Sequence, residues 1–249
     1  MKYALQWTRS LIFILQMYLM MFLMGIACFI PALLSRNAAI ASMRLYCAWV
    51  RWTASWIVGL KSEVRGQVPS GAVIVAAKHQ SFLDIILLMG SLPAGKFIMK
   101  RELMFAPILG QYALRIGCVP VNRGKRGKAI KKMAADVKSG AQLPGQLIIY
   151  PQGTRIAPGV KAPFKVGTYV LYEQLGQACV PVACNVGLFW PKRGIYREPG
   201  LAVIQYLDPI QAGLSQAEFM GQLQDVVETK SNALMQEAGF DADAVPTQA

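Results

Sequence analysis

An uncharged apolar run near the N-terminus restricts what this chain can fold into. The run extends from Leu11 to Leu34, LIFILQMYLMMFLMGIACFIPALL, without an acidic or basic residue. Roughly 20 apolar residues are enough to cross a bilayer core, whereas the apolar core of a signal peptide has only about 7–15. The mean hydropathy of +0.36 is also high for an ordinary soluble domain. We therefore predict a membrane-anchoring segment rather than a cleaved leader.

A second stretch, residues 39–61, has the pattern of a helix that lies at a membrane interface. Arg44 and Arg51 have the spacing of residues that share one face of a helix. The remainder carries three tryptophans, Trp49, Trp52 and Trp56. The alternative is a helix docked on the core of the following domain. In either case residues 1–61 are predicted membrane-anchoring helices, and the pattern leaves open whether the first helix spans the bilayer or dips in with the second as a hairpin.

From Ser62 onward, short apolar runs alternate with stretches of helical periodicity. This pattern predicts an α/β fold, with a single domain at 62–239 in which a mixed sheet is flanked by helices, followed by a flexible tail at 240–249. The predicted strands are Glu63–Arg65, Val73–Ala77, Lys96–Met99, Val119–Val121, Leu147–Tyr150, Val180–Asn185 and Ala202–Tyr206. Helices are predicted after Ser81, Ala106, Lys125, Lys165 and Ser215, the last with a capping box from Ser215 to Glu218.

Charge and cysteine content narrow the possible partners and chemistry. The formal net charge of +13 favours an anionic partner such as lipid headgroups, nucleic acid or an acidic carrier protein. Five cysteines without a C-x-x-C pair, together with one histidine, give no recognisable zinc spacing. We therefore predict no metal site and no cofactor. The cysteines are interpreted as reduced, buried thiols of a cytosol-facing protein: Cys28, Cys47, Cys118, Cys179 and Cys184.

The single histidine, His79, follows a predicted buried strand directly, in the sequence KHQSFLD. With Ser81 as the N-cap of the next helix, Asp84 takes the third helical position and can close a capping box. Residues five apart in a continuous helix point about 140° apart, but a turn followed by a helix can bring His79 and Asp84 together. Asp84 could then accept from one ring nitrogen and leave the other as a base. The alternatives are a purely capping aspartate and a structural histidine.

The sequence contains no obvious partner nucleophile for such a base. There is no G-x-S-x-G motif and no second histidine to serve another catalytic triad. A base without a partner serine or cysteine points to direct attack by a hydroxyl of the substrate, without a covalent intermediate.

Four short motifs resemble those of the glycerophospholipid acyltransferase family. KHQSFLD at 78–84 resembles its H-x4-D motif, and GCVPVNR at 117–123 resembles its second motif. YPQGTR at 150–155 resembles the F-P-E-G-T-R motif, and CVPVAC at 179–184 resembles the final V-P-V motif. The motifs occur in the family's order behind a strongly apolar N-terminus. The likeness is strongest to the bacterial 1-acyl-glycerol-3-phosphate acyltransferases.

The resemblance implies a reaction and two catalytic residues. An acyl group would pass from a thioester, on coenzyme A or acyl carrier protein, to the free sn-2 hydroxyl of 1-acyl-glycerol-3-phosphate, giving phosphatidate. His79 would take the hydroxyl proton as general base, and Asp84 would orient His79.

The resemblance also implies a set of substrate-binding residues. Arg155 is the best candidate for the substrate phosphate, because a guanidinium can bind phosphate through two hydrogen bonds. Gly153 would let the backbone approach closely. Further contacts are expected from Arg123, Lys100, Thr154 and Gln152. For Lys100 the alternative is an ordinary surface lysine.

Two departures from the family's third motif matter. Gln152 stands where the family has glutamate, and Ile156 stands where a serine usually follows. Glutamine keeps the size and an accepting oxygen, but it carries no charge and does not act as a base. We interpret Gln152 as a residue that holds the loop through hydrogen bonds.

The densest positive cluster is NRGKRGKAIKK, at 122–132. It lacks the P-loop pattern G-x4-G-K-[ST]. The cluster is either a solvated helix face or a site of attraction for anionic lipid, at about 1 kcal/mol per basic residue. It could also receive an acidic carrier protein or the phosphates of coenzyme A. Because it has no interleaved aromatic residues, we predict no nucleic-acid partner.

Together these features predict an acyltransferase at the cytoplasmic face of a bacterial inner membrane. One alternative is an acyltransferase for lyso-ornithine lipid or another lysophospholipid. Another is a membrane-binding module that keeps the fold without activity. The sequence alone does not choose the acyl donor or the acyl-chain length.

Overall fold

A computed structural model describes residues 1–106, 108–121, 135 and 144–240. Several predicted features lie outside the described residues: the helix after Lys125, the basic run at 122–132 with Arg123, and all but the first residue of the tail predicted at 240–249. The side chain of Lys100 is also outside the description, although its backbone ends a strand.

The N-terminal segment consists of three helices, α1 (Lys2–Ala27), α2 (Phe29–Leu34) and α3 (Arg36–Thr53). Within the described residues, α1 is the one helix long and apolar enough to cross a membrane, judged by length and composition. The uncharged run does not form one continuous helix. The helix is interrupted at Cys28, which is the C-cap of α1 and the N-cap of α2. Helix α1 also begins earlier than the uncharged run and includes two basic residues, Lys2 and Arg9.

The end of the N-terminal helices lies close to the predicted domain boundary. A π-helical turn, Ala54–Val58, ends at Gly59, whose φ of +73° is the left-handed conformation that commonly stops a helix. Strand β1 (Leu60–Arg65) begins at the next residue. The predicted boundary between residues 61 and 62 therefore falls inside a strand, and the helix predicted at 39–61 ends before Gly59.

The segment of α3 and the following π-helical turn has features of both predicted forms, a helix docked on the domain core and a helix at a membrane interface. Cys47 and Val50 are buried against the domain, whereas Trp52 and Trp56 are exposed and their rings stack in parallel at 6.1 Å. Arg51 does not share an exposed face with Arg44, because its guanidinium donates to the hydroxyl and the carbonyl of Ser62 in β1. The helix is thus docked on the domain along one side and presents tryptophans on the other.

Seven strands form one sheet in the order β1-β7-β6-β2-β5-β3-β4. After β1 they are β2 (Ile74–Ala77), β3 (Lys96–Lys100), β4 (Val119–Val121), β5 (Leu147–Ile149), β6 (Cys179–Cys184) and β7 (Gly200–Tyr206). Neighbouring strands are parallel except β6 and β7, so the predicted mixed sheet is confirmed. The largest difference from the predicted ends is in β1, which pairs with β7 from Leu60 onward.

Helices cover both faces of the sheet. They are α4 (Leu83–Ser91), α5 (Leu109–Ile116), α6 (Gly167–Leu175) and α7 (Gln216–Glu237), with short 3-10 turns at Arg101–Phe105 and Val186–Leu188. The predicted capping box of Ser215 and Glu218 begins α7. The parallel pairing of β2 with β5 brings the carboxyl ends of these two strands side by side.

Strand β2 shows how the two faces are separated. Val75 and Ala77 belong to the core under α3 and α4, while Ile74 and Ala76 belong to the core under α6 and α7. This is the alternation of side chains expected in a strand. Continued past the strand end, the same alternation sends Lys78 towards α7 and His79 towards the opposite face.

Candidate active site

His79 and Asp84 lie together at the carboxyl end of β2, as predicted. The Nδ1 atom of His79 is 2.9 Å from Oδ1 and 3.1 Å from Oδ2 of Asp84. Because a carboxylate only accepts, we assign the hydrogen to Nδ1, which leaves the lone pair on Nε2. No described residue bonds to Nε2, and the ring lines a cavity. An imidazole held in this way can take a proton from a group in that cavity.

Asp84 is bound by the turn that precedes its own helix. Its Oδ2 accepts from the backbone amides of Gln80 and Ser81, at 2.9 and 2.8 Å. The predicted cap is partly wrong, because the helix starts at Leu83 and the Ser81 hydroxyl accepts from the Leu83 amide rather than from that of Asp84. The half of the box formed by the carboxylate is present. The Asp84 carboxylate therefore stabilises the turn through Oδ2 and also contacts the His79 ring.

Tyr150, directly after β5, completes the group around Asp84. Its hydroxyl donates to Asp84 Oδ1 at 3.0 Å, and its ring stacks on His79 with centroids 3.8 Å apart. Burial, and then the negative charge of Asp84, raise the pKa of Tyr150 well above 10.0. The hydroxyl therefore stays protonated and acts as a donor. Sequence reasoning missed this contact, although the parallel pairing of β2 with β5 brings Tyr150 beside His79.

A cavity of about 880 Å³ opens beside His79 and is mostly apolar. Its apolar walls come from the N-terminal helices as well as from the domain: Met21, Phe22, Met43, Tyr46, Ile86, Met89, Met99 and Leu103 are among them. His79, Thr154 and Arg155 line the same cavity. A long apolar space thus meets a polar group of side chains at the histidine.

The loop after Tyr150 contributes the predicted Gly153, Thr154 and Arg155 to this cavity. Gly153 has a φ of +70°, and its amide closes a turn on the Tyr150 carbonyl at 2.8 Å. Arg155 donates to the Lys192 carbonyl at 3.3 Å, and Lys192 donates to the Arg155 carbonyl at 3.1 Å. These contacts connect the loop to the segment between β6 and β7.

Two further cations, Lys165 and Lys192, also line the cavity. The sequence analysis did not identify either of them as a site residue. A Cβ built on Gly153 would lie 3.1 Å from Lys165 Nζ, so this ammonium sits directly over the loop. With Arg155 they give positive charge to the cavity that His79 lines. Lys192 follows β6 in a long connection, and no pattern in the sequence marks it. Arg123 and the Lys100 side chain lie outside the described residues and stay predictions.

Gln152 points away from the cavity. Its side chain is 3% exposed, and its Nε2 donates to Glu228 Oε1 in α7 at 3.4 Å. Gln152 is therefore a residue behind the loop, in agreement with a loop-holding interpretation and not with direct contact to a ligand in the cavity.

The five cysteines are free, as predicted, but Cys28 is only partly buried. Burial raises the pKa of the other four thiols above 9.0, to about 11 for Cys118 and about 12 for Cys179. Within the described part of the chain, no three His, Cys, Asp or Glu side chains are grouped in a way that could hold a metal ion.

The fold is shared with a solved structure. The crystal structure of the 1-acyl-sn-glycerophosphate acyltransferase PlsC from Thermotoga maritima matches with a TM-score of 0.79. The match covers 94% of this chain and 99% of that one at 20% sequence identity. At this level of identity the likeness establishes the architecture.

Similar sequences include two proteins named 1-acyl-sn-glycerol-3-phosphate acyltransferase. The one from Pseudomonas aeruginosa is 29% identical over 157 residues, which cover 62% of this chain and 61% of that protein. The one from Cocos nucifera is 29% identical over 159 residues, or 63% of this chain and 52% of that protein. The alignments thus span less than two thirds of these relatives.

The family model described as Acyltransferase matches residues 61–185. This range contains His79, Asp84 and the loop with Arg155, and it covers half of the chain. The chain therefore belongs to the acyltransferase family.

Proposed function

We propose that this protein transfers an acyl group from a thioester to the free sn-2 hydroxyl of a 1-acyl-glycerol-3-phosphate, giving phosphatidate. One observation carries the proposal: the His79–Asp84 pair lies where a mostly apolar cavity meets a group of cations. A lysophosphatidate has the matching parts, namely an acyl chain, a free hydroxyl and a phosphate. The similar proteins from P. aeruginosa and C. nucifera are named for this activity.

The reaction needs one base that later acts as an acid. Nε2 of His79 takes the proton of the acceptor hydroxyl while the oxygen of that hydroxyl attacks the thioester carbonyl. The carbon–sulfur bond then breaks, and the thiolate leaves with the proton that His79 received. Asp84 stabilises the imidazolium in between through Nδ1, in the way that a buried aspartate does in a catalytic triad. Because the acceptor attacks directly, no acyl group is bound to the protein.

The cations at the cavity fit a phosphate monoester. Arg155 can donate two parallel hydrogen bonds to phosphate oxygens, and Lys165 and Lys192 add point charges. A monoester carries close to two negative charges, whereas the headgroup of lyso-ornithine lipid also carries a positive charge that these cations would repel. We expect Arg123 and Lys100 to be further phosphate contacts.

The donor is an acyl thioester of coenzyme A or of acyl carrier protein. Both are anionic, in keeping with the net charge of +13. The apolar walls supplied by α1 and α3 would cover an acyl chain while the carbonyl reaches His79.

The test of the reaction is a comparison of acceptors with detergent-purified protein and a long-chain acyl thioester. We expect turnover on lysophosphatidate to exceed that on lysophosphatidylcholine and on lyso-ornithine lipid. Turnover on lyso-ornithine lipid alone would keep an acyltransferase but replace the acceptor. Binding of lipid without any acyl transfer would replace the enzyme with a membrane-binding module.

We also propose that the protein lies on the membrane and does not span it. Helix α1 contacts the domain along its length: Gln6 donates to the Arg197 carbonyl, Ser10 accepts from the Arg197 amide, and Tyr112 donates to the Gly25 carbonyl. The positions from 6 to 25 extend over about 29 Å of helix, so an α1 that spanned the bilayer would draw the domain in with it.

The face of α1 turned away from the domain is apolar and exposed, and it would lie among the lipids. This face includes Leu5, Ile12, Leu15, Leu19, Leu23 and Ile26. Trp52 of α3 and Trp56 of the following π-helical turn would then lie at the headgroup level, as interfacial tryptophans do. The free cysteines suit the cytoplasmic side of a bacterial inner membrane.

Vesicle flotation of Leu15→Lys/Leu19→Lys tests this membrane surface. We expect binding to anionic vesicles to be lost while melting stays as in wild type. A cysteine scan with a membrane-impermeant label gives the second measurement. If one end of α1 were labelled only from one side of the membrane and the other end only from the opposite side, α1 would be a spanning helix.

A further inference from the structure

A buried ion pair lies directly behind the proposed base. Lys78, the residue before His79, has only 2% of its side chain exposed, and its Nζ pairs with Oε2 of Glu228 in α7. The alternation of side chains along β2 sends Lys78 to this face and His79 to the cavity. Glu228, at 20% exposure, is thereby linked to the turn that carries His79.

The second oxygen of the same carboxylate reaches the other loop of the site. Glu228 Oε1 accepts from Nε2 of Gln152, which immediately precedes Gly153. The Oε1 atom of Gln152 is buried and has no hydrogen-bond partner among the described residues. The two loops also meet directly, because the Ile156 amide donates to the His79 carbonyl at 2.8 Å. One carboxylate of α7 thus bridges the backbone segments that carry the base and the phosphate-binding arginine.

We propose that Glu228 is a positioning residue that sets the distance between His79 and Arg155 through Lys78 and Gln152. The proposal rests on the proposed function only for its kinetic readout. The network contains one cation and one carboxylate, and the carboxylate stands on the helix. The loop position, where the family motif has glutamate, holds the neutral Gln152.

The charges of this network predict that a change at position 228 and a change at position 152 each disturb the site, and that the two changes together compensate. Removal of the Glu228 charge leaves Lys78 buried without a counter-ion, so its side chain must turn to solvent and displace the turn before His79. A second carboxylate at 152 would face Glu228 across a contact of 3.4 Å and repel it. When the carboxylate is moved from 228 to 152, the network again has one cation and one carboxylate.

The experiment is a double-mutant cycle with Glu228→Gln, Gln152→Glu and both together. Each single variant is expected to lower kcat/KM for lysophosphatidate by about 10- to 100-fold, because small displacements of reacting groups have effects of this size. The double variant is expected to recover most of that loss, as residues in one network are not additive. Asp225→Asn is the matched control: it removes an exposed carboxylate one helical turn earlier in α7 and should behave as wild type.

A spectroscopic readout separates positioning from stability and from the reaction itself. His79 is the only histidine, so its ring gives a single set of NMR signals in protein labelled at histidine. The stacked Tyr150 ring at 3.8 Å shifts those signals by its ring current. Both single variants are expected to move the His79 signals, and the double variant is expected to return them towards wild type.

The proposal is overturned if Glu228→Gln lowers the melting temperature but the folded enzyme keeps wild-type kinetics and His79 signals. A double variant no better than the worse single variant would overturn it as well. If Glu228→Gln does not fold, Gln152→Glu decides alone, since it keeps the ion pair: wild-type His79 signals in that variant contradict the proposal. If wild type does not acylate lysophosphatidate, the proposed function fails, while the NMR cycle still decides the role of Glu228.

Discussion

Tyr150 donates its hydroxyl to Oδ1 of Asp84 at 3.0 Å, and this bond joins the third motif of the sequence to the first. The F-P-E-G-T-R motif has phenylalanine at this position, so the motif alone does not predict this bond. The Tyr150 hydroxyl gives Asp84 a fourth donor, in addition to the His79 ring and the amides of Gln80 and Ser81.

Tyr150→Phe is predicted to slow the reaction only moderately. The variant keeps the ring that stacks on His79 and loses one of the donors to Asp84. A hydrogen bond of this kind contributes about 1 kcal/mol, so kcat should fall about fivefold, with KM for the acceptor unchanged. Steady-state kinetics over a range of acceptor concentrations measure both. A loss as large as that of Asp84→Asn would instead mean that the tyrosine hydroxyl takes part in proton transfer.

Asp84→Asn is predicted to have a much larger effect. The amide cannot stabilise an imidazolium as the carboxylate does, and it can accept through only one oxygen where Asp84 uses two. We expect kcat to fall by about 10²- to 10⁴-fold, the range attributed to a general base. Circular dichroism should show an intact fold, because the side chain has the same shape. A tenfold effect or less would contradict the role of Asp84 in orienting and stabilising His79.

Arg155→Lys is predicted to act mainly on acceptor binding. Lysine keeps the charge but loses the paired hydrogen bonds of the guanidinium, so KM for lysophosphatidate should rise about tenfold with little change in kcat. Arg193→Lys is the control, since Arg193 is an exposed neighbour of Lys192 and does not line the cavity. Equal kinetic effects in both variants would remove Arg155 from the phosphate site.

Alkaline pH is predicted to destabilise the fold through its buried thiols. Burial raises the pKa of Cys118 to about 11 and that of Cys179 to about 12, from 9.0 in the unfolded chain. Below pH 9 both states are protonated and this stabilisation is complete. Above it the unfolded state binds fewer protons, so the free energy of unfolding falls by up to about 1.4 kcal/mol per thiol and pH unit until the folded pKa is reached.

Denaturant unfolding in detergent, at pH values below and above 9, measures this effect. Cys179→Ala should show a smaller loss of stability with rising pH than wild type, because one titrating thiol is removed. An identical pH slope in the two proteins would contradict the assignment to buried thiols.

The sequence was sufficient for the sheet and for the pair at the centre of the site. The strands follow from short apolar runs, and His79 meets Asp84 because the turn between β2 and α4 reverses the direction of the chain. Alternation along β2 also explains why Lys78 and His79 face opposite sides of the sheet.

The site residues that the sequence did not identify are placed by contacts between segments that are distant in the chain. Glu228 is 150 residues from Lys78, and Lys192 is 37 residues from Arg155. Neither partner has a local pattern that marks it, because α7 is an ordinary amphipathic helix and Lys192 lies in a loop. The predicted boundary at residue 61 differs from the start of β1 for a related reason, since β1 is defined by its pairing with β7.

The most direct measurement is acyl transfer to lysophosphatidate by wild type and by His79→Ala, with mass spectrometry of the protein during turnover. We expect wild type to make phosphatidate, the variant to be slower by about 10²- to 10⁴-fold, and neither protein to carry an acyl group. Undiminished turnover by the variant would contradict His79 as the base, and an acylated wild-type protein on the reaction path would contradict direct attack by the acceptor hydroxyl.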